Sequence, residues 1–366
     1  MRRSGSLTTE EHLKSLALTQ YRAPLECVET STPVPKGSEV LLRVNACGVC
    51  HTDLHIWEGG YDLGGGKMMK MSDRGQKLPH TMGHEVVGTV VAAGEDAMRL
   101  AEMGRTYLVY PWFGCGECQV CKSSDEHLCP TPQYLGVLRP GGYADHVLVP
   151  HPRYLIDIPA IPPEQAAPYA CSGLTAYSAL KKLGPDRLGK PILIIGAGGL
   201  GLMCLSLLKA MGRSGAIVAD IDPDKRSAAL AAGVISALDP TKDNFAKLLA
   251  ESAQGGIHAI IDFVGSPASW DLAMATLAKG AIYVIVGLFG GERTLSLATM
   301  PLRAITVSGS FVGSRRDLIE LMSLVRTGVD QMPIVTRPLD RAHETLSDLR
   351  EGRVVGRAVL VPDQPS

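Results

Sequence analysis

No run of eighteen apolar residues occurs in this 366-residue sequence, so no membrane-spanning helix is expected. No stretch is rich in lysine and arginine, and the formal net charge is -1, which argues against a general binder of nucleic acid or acidic lipid. The opening, MRRSGSLTTEEHLK, has no apolar segment behind Arg2 and Arg3. That pair reads as a solvated tail, a secretory signal is not expected, and the chain is expected in the cytoplasm. Internal repeats and low-complexity tracts are missing too. What is left is a normal soluble composition, 45% hydrophobic and 20% charged, long enough for two domains.

Cysteine, by contrast, is plentiful. Nine occur, at 27, 47, 50, 115, 118, 121, 129, 171 and 204, and four of them fall within fifteen residues. A reducing compartment disfavours disulfides, so clustered cysteines there point to a metal or to catalysis.

Along the chain the pattern changes. From about 13 to 160 short β-rich runs (40–44, 86–92, 107–110 and 143–149) are bounded by Gly and Pro. Helical text covers 163–183. Strands at 191–195, 216–221, 257–264 and 281–286 then alternate with helices at 200–211, 223–232 and 267–278, which predicts a parallel sheet with helices on both faces. Two more helices, 314–326 and 341–350, and a strand, 357–361, follow. An α/β domain thus interrupts a β-rich one. Residues 59–79, rich in Gly, Lys and Met, read as a long loop: a functional lid or interface element, or a mobile surface insertion.

Ile194-Ile195 runs into Gly196-Ala197-Gly198-Gly199-Leu200-Gly201. This G-x-G-x-x-G lies between an apolar strand and a helix. The first Gly allows a tight turn, the second a close approach to pyrophosphate, and the third close helix–strand packing, while the helix N-terminus faces the phosphate charge. Asp220 ends the next strand, nineteen residues after Gly201. A carboxylate there accepts from the ribose hydroxyls of NAD and repels the 2′-phosphate of NADP. Lys225 and Arg226 lie close by, as NADP contacts or simply as a solvated helix face.

Cys115, Cys118, Cys121 and Cys129 offer four thiolates in one loop, which suits a closed, tetrahedral structural zinc; an iron–sulfur cluster is the chemical rival. A second set is dispersed: Cys47-Gly-Val-Cys50-His51-Thr52-Asp53, then Gly83-His84-Glu85, then Ala170-Cys171-Ser172-Gly173. Taken singly, each is weak, since a lone Cys or His is more often a packing residue.

Together and in this order, with the cysteine lobe and the glycine fingerprint, these motifs resemble the zinc-dependent medium-chain alcohol dehydrogenases, closest to the yeast-type and bacterial branch. The likeness runs from about 13 to 362. It implies a GroES-like β-rich catalytic domain (1–172 and 312–366) into which a Rossmann-type doubly wound parallel sheet domain (173–311) is inserted, an α/β protein with its active site in the cleft. It implies two zinc ions per chain: a catalytic one on Cys50, His84 and Cys171, and a structural one in the cysteine lobe. Asp53 would brace the imidazole of His84. Glu85 would assist ligand exchange, unless it is a buried structural carboxylate. Thr52 would hydrogen-bond the substrate oxygen, and His55 would end a proton relay running through the nicotinamide ribose. His51 and Arg357 would lie near the cofactor pyrophosphate. Further NAD contacts are implied at Thr175, Lys225, Val264 and Gly287. Trp57 and Trp112 would line the substrate pocket, with ordinary core packing as the plainer reading.

The implied activity is reversible oxidation of a primary or secondary alcohol to an aldehyde or ketone, with NAD taking the hydride. A homotetramer is favoured over a dimer, and nucleic acid and membrane are not expected as partners. The rivals are a zinc polyol dehydrogenase, which Cys171 disfavours, and a non-catalytic NAD(H)-binding protein, which the full set of ligands disfavours. The loop 59–79 is longer than in the yeast type by roughly ten residues, which puts the pocket mouth and subunit contacts in doubt.

Overall fold

The computed structural model describes residues 12–213 and 215–363, so the Arg2-Arg3 tail lies outside the described residues. No helix among them is long and apolar enough to cross a membrane.

The alternating segment builds a six-stranded parallel sheet. Its order is Ser236–Leu238, Ala216–Ala219, Ile192–Ile195, Ile257–Asp262, Leu277–Ile285, Thr306–Gly309, with the first strand in sequence at the centre. The crossover helices Gly199–Ala210, Pro223–Ala231, Phe245–Ala253 and Pro267–Thr276 link its strands. Ile192–Ile195 is buried on both faces, as a strand covered by two helical layers must be. Burying each such aliphatic side chain contributes about 1.5–3 kcal/mol. Strand order therefore reverses beside Ile195, and the glycine turn opens at that point.

The second body is mostly antiparallel. Its largest sheet runs Leu155–Asp157, Thr106–Val109, Glu85–Ala93, Val40–Val49, Arg357–Val361, Ile334–Pro338, and His146–Val149 also pairs with Val40–Val49. Ala358 pairs with Val49 and Leu360 with Cys47. The last strand of the chain thus returns to the strand that leads into the dispersed metal motif. A smaller sheet joins His12–Leu18 to Glu26–Ser31 and His80–Thr81.

Several expectations change. The helix predicted over 163–183 is three pieces: Pro163–Ala166, a 3-10 turn Ala167–Ala170, and Ser172–Leu183. The break falls at Cys171, whose φ of -125° and ψ of -71° lie off the helical basin. The helix Phe245–Ala253 and the short strands Ser236–Leu238, Thr306–Gly309 and Ile334–Pro338 were not expected from the pattern. Strands of three to five residues carry too few positions for a period to emerge. The segment 59–79 also has structure: a hairpin of Gly60–Asp62 with Met68–Lys70, then a 3-10 turn Ser72–Arg74. Its turn is set by Asp62, whose Oδ1 accepts the Gly64 N–H at 2.8 Å.

Candidate active site

Directly after the strand Val40–Val49, the chain turns into a helix, His51–Glu58, where sequence reasoning had only a strand end. Cys50 is its N-cap, and the Asp53 carboxylate accepts the Cys50 N–H at 2.9 Å. A cysteine cap is not among the usual signals, which explains the omission. The helix places Thr52 and His55 three apart, on one face. Asp53 is fully buried and also faces the Gly83 N–H and His84 Nδ1, both at 3.3 Å.

Nδ1 of His84 lies beside Asp53 at 3.3 Å without hydrogen-bond geometry, and Nε2, on the other side of the ring, is likewise buried with no hydrogen-bond partner among the described residues. Cys50 Sγ and Cys171 Sγ lie 3.9 Å apart, and ligand atoms of Cys50, His84, Glu85 and Cys171 all fall within 4.8 Å of one another. Tetrahedral zinc with Zn–S bonds of about 2.3 Å requires sulfurs about 3.8 Å apart. An orphaned buried nitrogen and two sulfurs at that spacing fit a zinc ion. The hydrogen bond from Cys171 lowers the pKa of the Cys50 thiol and correspondingly raises that of Cys171.

Glu85 is fully buried and bonded through both carboxylate oxygens to Arg357, itself 3% exposed. Burial pushes the Glu85 carboxyl up to about 7, against the pull of the guanidinium. Arg357, expected near the pyrophosphate, is thus anchored to Glu85, with its stem under the first turn of the glycine-loop helix. A Cβ on Gly199 would sit 2.6 Å from Arg357 Cδ.

The lobe gathers as its spacing suggests. Cys118 Sγ lies 3.5 Å from Cys121 and 3.8 Å from Cys129, and Cys115 Sγ lies 3.9 Å from Cys121. These separations are too long for bonds between sulfurs and suit four ligands of one tetrahedral ion, and all nine cysteines are free of disulfides.

The glycine turn divides its labour in the way sequence reasoning anticipates. Gly196 has φ +92°, which excludes most side chains. A Cβ on Gly201 would collide with the Gly196 carbonyl oxygen, whereas one on Gly198 meets nothing within 4 Å. Gly198 caps a twelve-residue helix without any side-chain cap, leaving N–H groups free for an anion. Leu200 is half-buried against the core. Asp220 accepts the Ala197 N–H at 2.7 Å and the Asp222 N–H at 2.9 Å, which leaves lone pairs on both oxygens. Lys225 pairs with Asp222 at 3.5 Å, and Arg226 with Asp239 at 3.7 Å, so each cation already has an acid. Val264–Gly265 and Gly287 press backbone to backbone where two neighbouring strands end. The buried Asp262, missed in the sequence, ties this region together by accepting from the Val264, Gly265 and Tyr283 donors. Thr175 is buried one turn beyond Cys171, and His51 faces the ring of Phe289 at 5.9 Å.

The aromatic residues depart furthest from expectation. Trp112 stands beside His84, ring centroids 5.5 Å apart, with Phe311 and Tyr134 edge-on to it. Trp57 is held by other partners. Its indole N–H donates to the Ala23 carbonyl at 2.7 Å, and its ring packs between His343 and Arg350 of the helix Ala342–Arg350. The ring against His55 is that of Tyr61, centroids 4.6 Å apart, a residue the sequence did not single out.

Known proteins agree with this arrangement. The family described as "Alcohol dehydrogenase GroES-like domain" matches residues 36–160, and "Zinc-binding dehydrogenase" matches 199–327. An NAD-dependent alcohol dehydrogenase of Sulfurisphaera tokodaii is 35% identical over 353 residues, 96% of this chain and 100% of that protein. A D-arabinose 1-dehydrogenase (NADP(+)) of Saccharolobus solfataricus is 31% identical, covering 95% of this chain and 97% of its own. The crystal structure of the alcohol dehydrogenase from Aeropyrum pernix superposes with a TM-score of 0.85 at 31% identity, over 95% of this chain and 100% of that one. The chain therefore belongs to the zinc-type medium-chain alcohol dehydrogenase family.

Proposed function

We propose that this protein oxidises primary or secondary alcohols to aldehydes or ketones, reversibly, with NAD as hydride acceptor. The observation that carries this reading is the orphaned Nε2 of His84 facing two cysteine sulfurs at zinc-ligand spacing, beside a glycine turn built for a dinucleotide. When bound, zinc acidifies an alcohol and NAD accepts its hydride. The chain supplies the rest. Cys50, His84 and Cys171 hold the metal, with Glu85 in reach for exchange of the fourth ligand. Asp53 fixes the His84 tautomer and ring. Thr52 accepts the alcohol proton, and His55, one turn along the same helix, takes it toward solvent. Trp112, Phe311 and Tyr134 give the pocket an apolar wall, so an uncharged alcohol is the fitting substrate.

The cleft lies between 1–172 with 312–366 on one side and 173–311 on the other. Asp220 supports NAD over NADP, through charge repulsion of a 2′-phosphate. Nine thiols and no disulfide suit a reducing cytoplasm. A homotetramer is the assembly proposed; the terminal sheet strand Thr306–Gly309, whose outer edge is open among the described residues, offers a surface on which two copies could pair.

The test follows NADH formation with zinc-loaded enzyme and linear, branched, cyclic and benzylic alcohols. A polyol, an aldose and NADP are included because of the arabinose-oxidising relative. Turnover of simple alcohols with NAD is the expected result. Turnover of the sugar alone with NADP would replace this reading with the sugar one, and NAD binding without any turnover would replace it with a binding protein.

A further inference from the structure

A fully buried acid ends the strand Ile257–Asp262, beside the strand that opens into the glycine turn. Oδ1 of Asp262 accepts the Val264 N–H at 2.8 Å and the Gly265 N–H at 3.0 Å, and Oδ2 accepts the Tyr283 hydroxyl at 2.7 Å. Its backbone carbonyl accepts the Val286 N–H at 2.9 Å and the Gly287 N–H at 3.0 Å. One residue thus fixes both loops that leave the strands Ile257–Asp262 and Leu277–Ile285. Tyr283 reaches the carboxylate because it stands opposite Ile260, and side chains two apart on a strand share a face. Its own ring is buried against Trp270, centroids 5.6 Å apart.

The two loops form a shelf between the glycine turn and the catalytic body. At the near end, a Cβ on Gly196 would sit 2.9 Å from Val264 Cγ2, and one on Gly265 would collide with the Gly287 carbonyl oxygen. Further out, the Phe289 N–H donates to the Val264 carbonyl at 3.2 Å and the Gly290 N–H to the Gly265 carbonyl at 3.1 Å. Phe289 faces the ring of His51, and a Cβ on Gly290 would sit 2.6 Å from the Asp62 carbonyl oxygen. Sheet order assigns the shelf to one half of a dinucleotide. Asp220 follows the strand Ala216–Ala219 on one side of Ile192–Ile195, and Asp262 ends the neighbouring strand on the other side. With a pyrophosphate over the glycine turn and the adenosine ribose at Asp220, the nicotinamide half falls toward the shelf.

Gly265, at φ +66°, and Gly287 make this shelf soft by composition, since glycine loses more backbone freedom on ordering than any other residue. A loop left free must be ordered when the cofactor arrives, and that cost is subtracted from affinity. A loop already held has met the cost on folding. The Asp262 carboxylate does the holding on one side of the shelf and its carbonyl on the other, while Tyr283 fixes the carboxylate itself.

We propose that Asp262, braced by Tyr283, is a positioning residue for the nicotinamide half of the cofactor, acting through the Val264–Gly265 backbone. The proposal rests on the NAD-dependent reading above. It differs from a purely structural role, because an acid that only stabilised the domain would affect both halves of the dinucleotide alike.

The experiment measures calorimetric binding of NADH, and of ADP-ribose, which lacks the nicotinamide. The proteins are zinc-loaded, full-length parent, Asp262→Ala, Asp262→Asn and Tyr283→Phe, with melting temperatures recorded for each. Losing one hydrogen bond corresponds to about five-fold in affinity. Asp262→Ala frees two backbone N–H groups and is expected to weaken NADH about ten-fold or more, while ADP-ribose shifts by less than about two-fold. Tyr283→Phe should weaken NADH about five-fold with ADP-ribose again unmoved, and it carries the test if Asp262→Ala does not fold. Asp262→Asn should recover most of the loss, because the amide oxygen accepts from the same two N–H groups and its NH2 donates to the phenol oxygen. Equal weakening of NADH and ADP-ribose would overturn the proposal, and so would parent-like NADH binding in folded Asp262→Ala or in Tyr283→Phe. Asp262→Asn as weak as Asp262→Ala would overturn it too, since the charge rather than the held turn would then decide. A parent that binds neither compound overturns the NAD reading itself, and this proposal with it.

Discussion

Replacing Asp53 by asparagine isolates what one buried charge contributes to the metal centre. The side chain keeps its shape, but three groups that meet the carboxylate are donors: the Cys50 N–H, the Gly83 N–H and the Nδ1 of His84. An amide must aim its NH2 at one of them. If it faces Cys50, the helix His51–Glu58 loses its cap interaction, which costs about 1 kcal/mol. If it faces His84, the imidazole is driven to the tautomer with hydrogen on Nε2, the atom meant for the metal. Loss of such a supporting carboxylate typically weakens metal binding 10–100-fold, or about 1.4–2.7 kcal/mol. The assay is equilibrium dialysis against a graded series of chelator buffers, counting zinc per chain, with the four-cysteine lobe as internal reference. The parent should release zinc in two steps. In Asp53→Asn the lobe step should stay in place while the other moves to a roughly 10–100-fold lower chelating strength. Two unmoved steps with parent-like turnover would reduce Asp53 to a helix cap and refute the reasoning. So would a single step in which both ions leave together.

Gly198→Ala should leave the melting temperature within about 2 °C of the parent, because its new methyl meets nothing in the protein. It should nevertheless weaken NAD about ten-fold or more by calorimetry, since the space it fills is the one a pyrophosphate needs. Cys129→Ser should drop zinc content from about two to about one per chain and lower stability by a few kcal/mol, while kcat of the folded fraction changes little; unchanged metal content and stability would count against a structural ion. Burial lowers the pKa of His55 from 6.5, so the parent ring stays neutral and able to accept a proton through neutral pH. In His55→Ala, alcohol oxidation should therefore fall most toward lower pH, by about ten-fold or more. It should approach the parent as rising pH lets hydroxide take the proton, and superimposable pH profiles would remove His55 from the relay.

Much of this molecule was legible where chemistry is local. The parallel sheet showed in the alternation from Ile192 onward, because strand and helix periods are carried by neighbouring residues. Errors cluster where a local rule was overridden. The helix over 163–183 breaks at Cys171 because that residue turns its sulfur toward Cys50, 121 positions earlier. The helix His51–Glu58 was hidden by an unusual cap, and the hairpin in 59–79 by its three-residue strands. Trp57 drew attention as a large aromatic in a catalytic segment. Its direction, toward the helix Ala342–Arg350, depends on a part of the chain nearly three hundred residues away.

The sequence by itself determined the four-thiol lobe, whose ligands fall within fifteen residues and need only a flexible loop to meet. It equally determined the glycine turn, since strand, turn and helix are contiguous and the close approach that Gly201 permits is to the Gly196 carbonyl five residues earlier. Only the tertiary structure decided the pairing of Glu85 with Arg357, 272 residues apart, the placing of Asp53 against His84, and the arrival of Tyr61 beside His55. Those contacts depend on how two bodies and a returning C-terminal strand are set against one another. Buried charge and buried hydroxyls take their meaning from whichever group faces them, and that partner lies elsewhere in the chain.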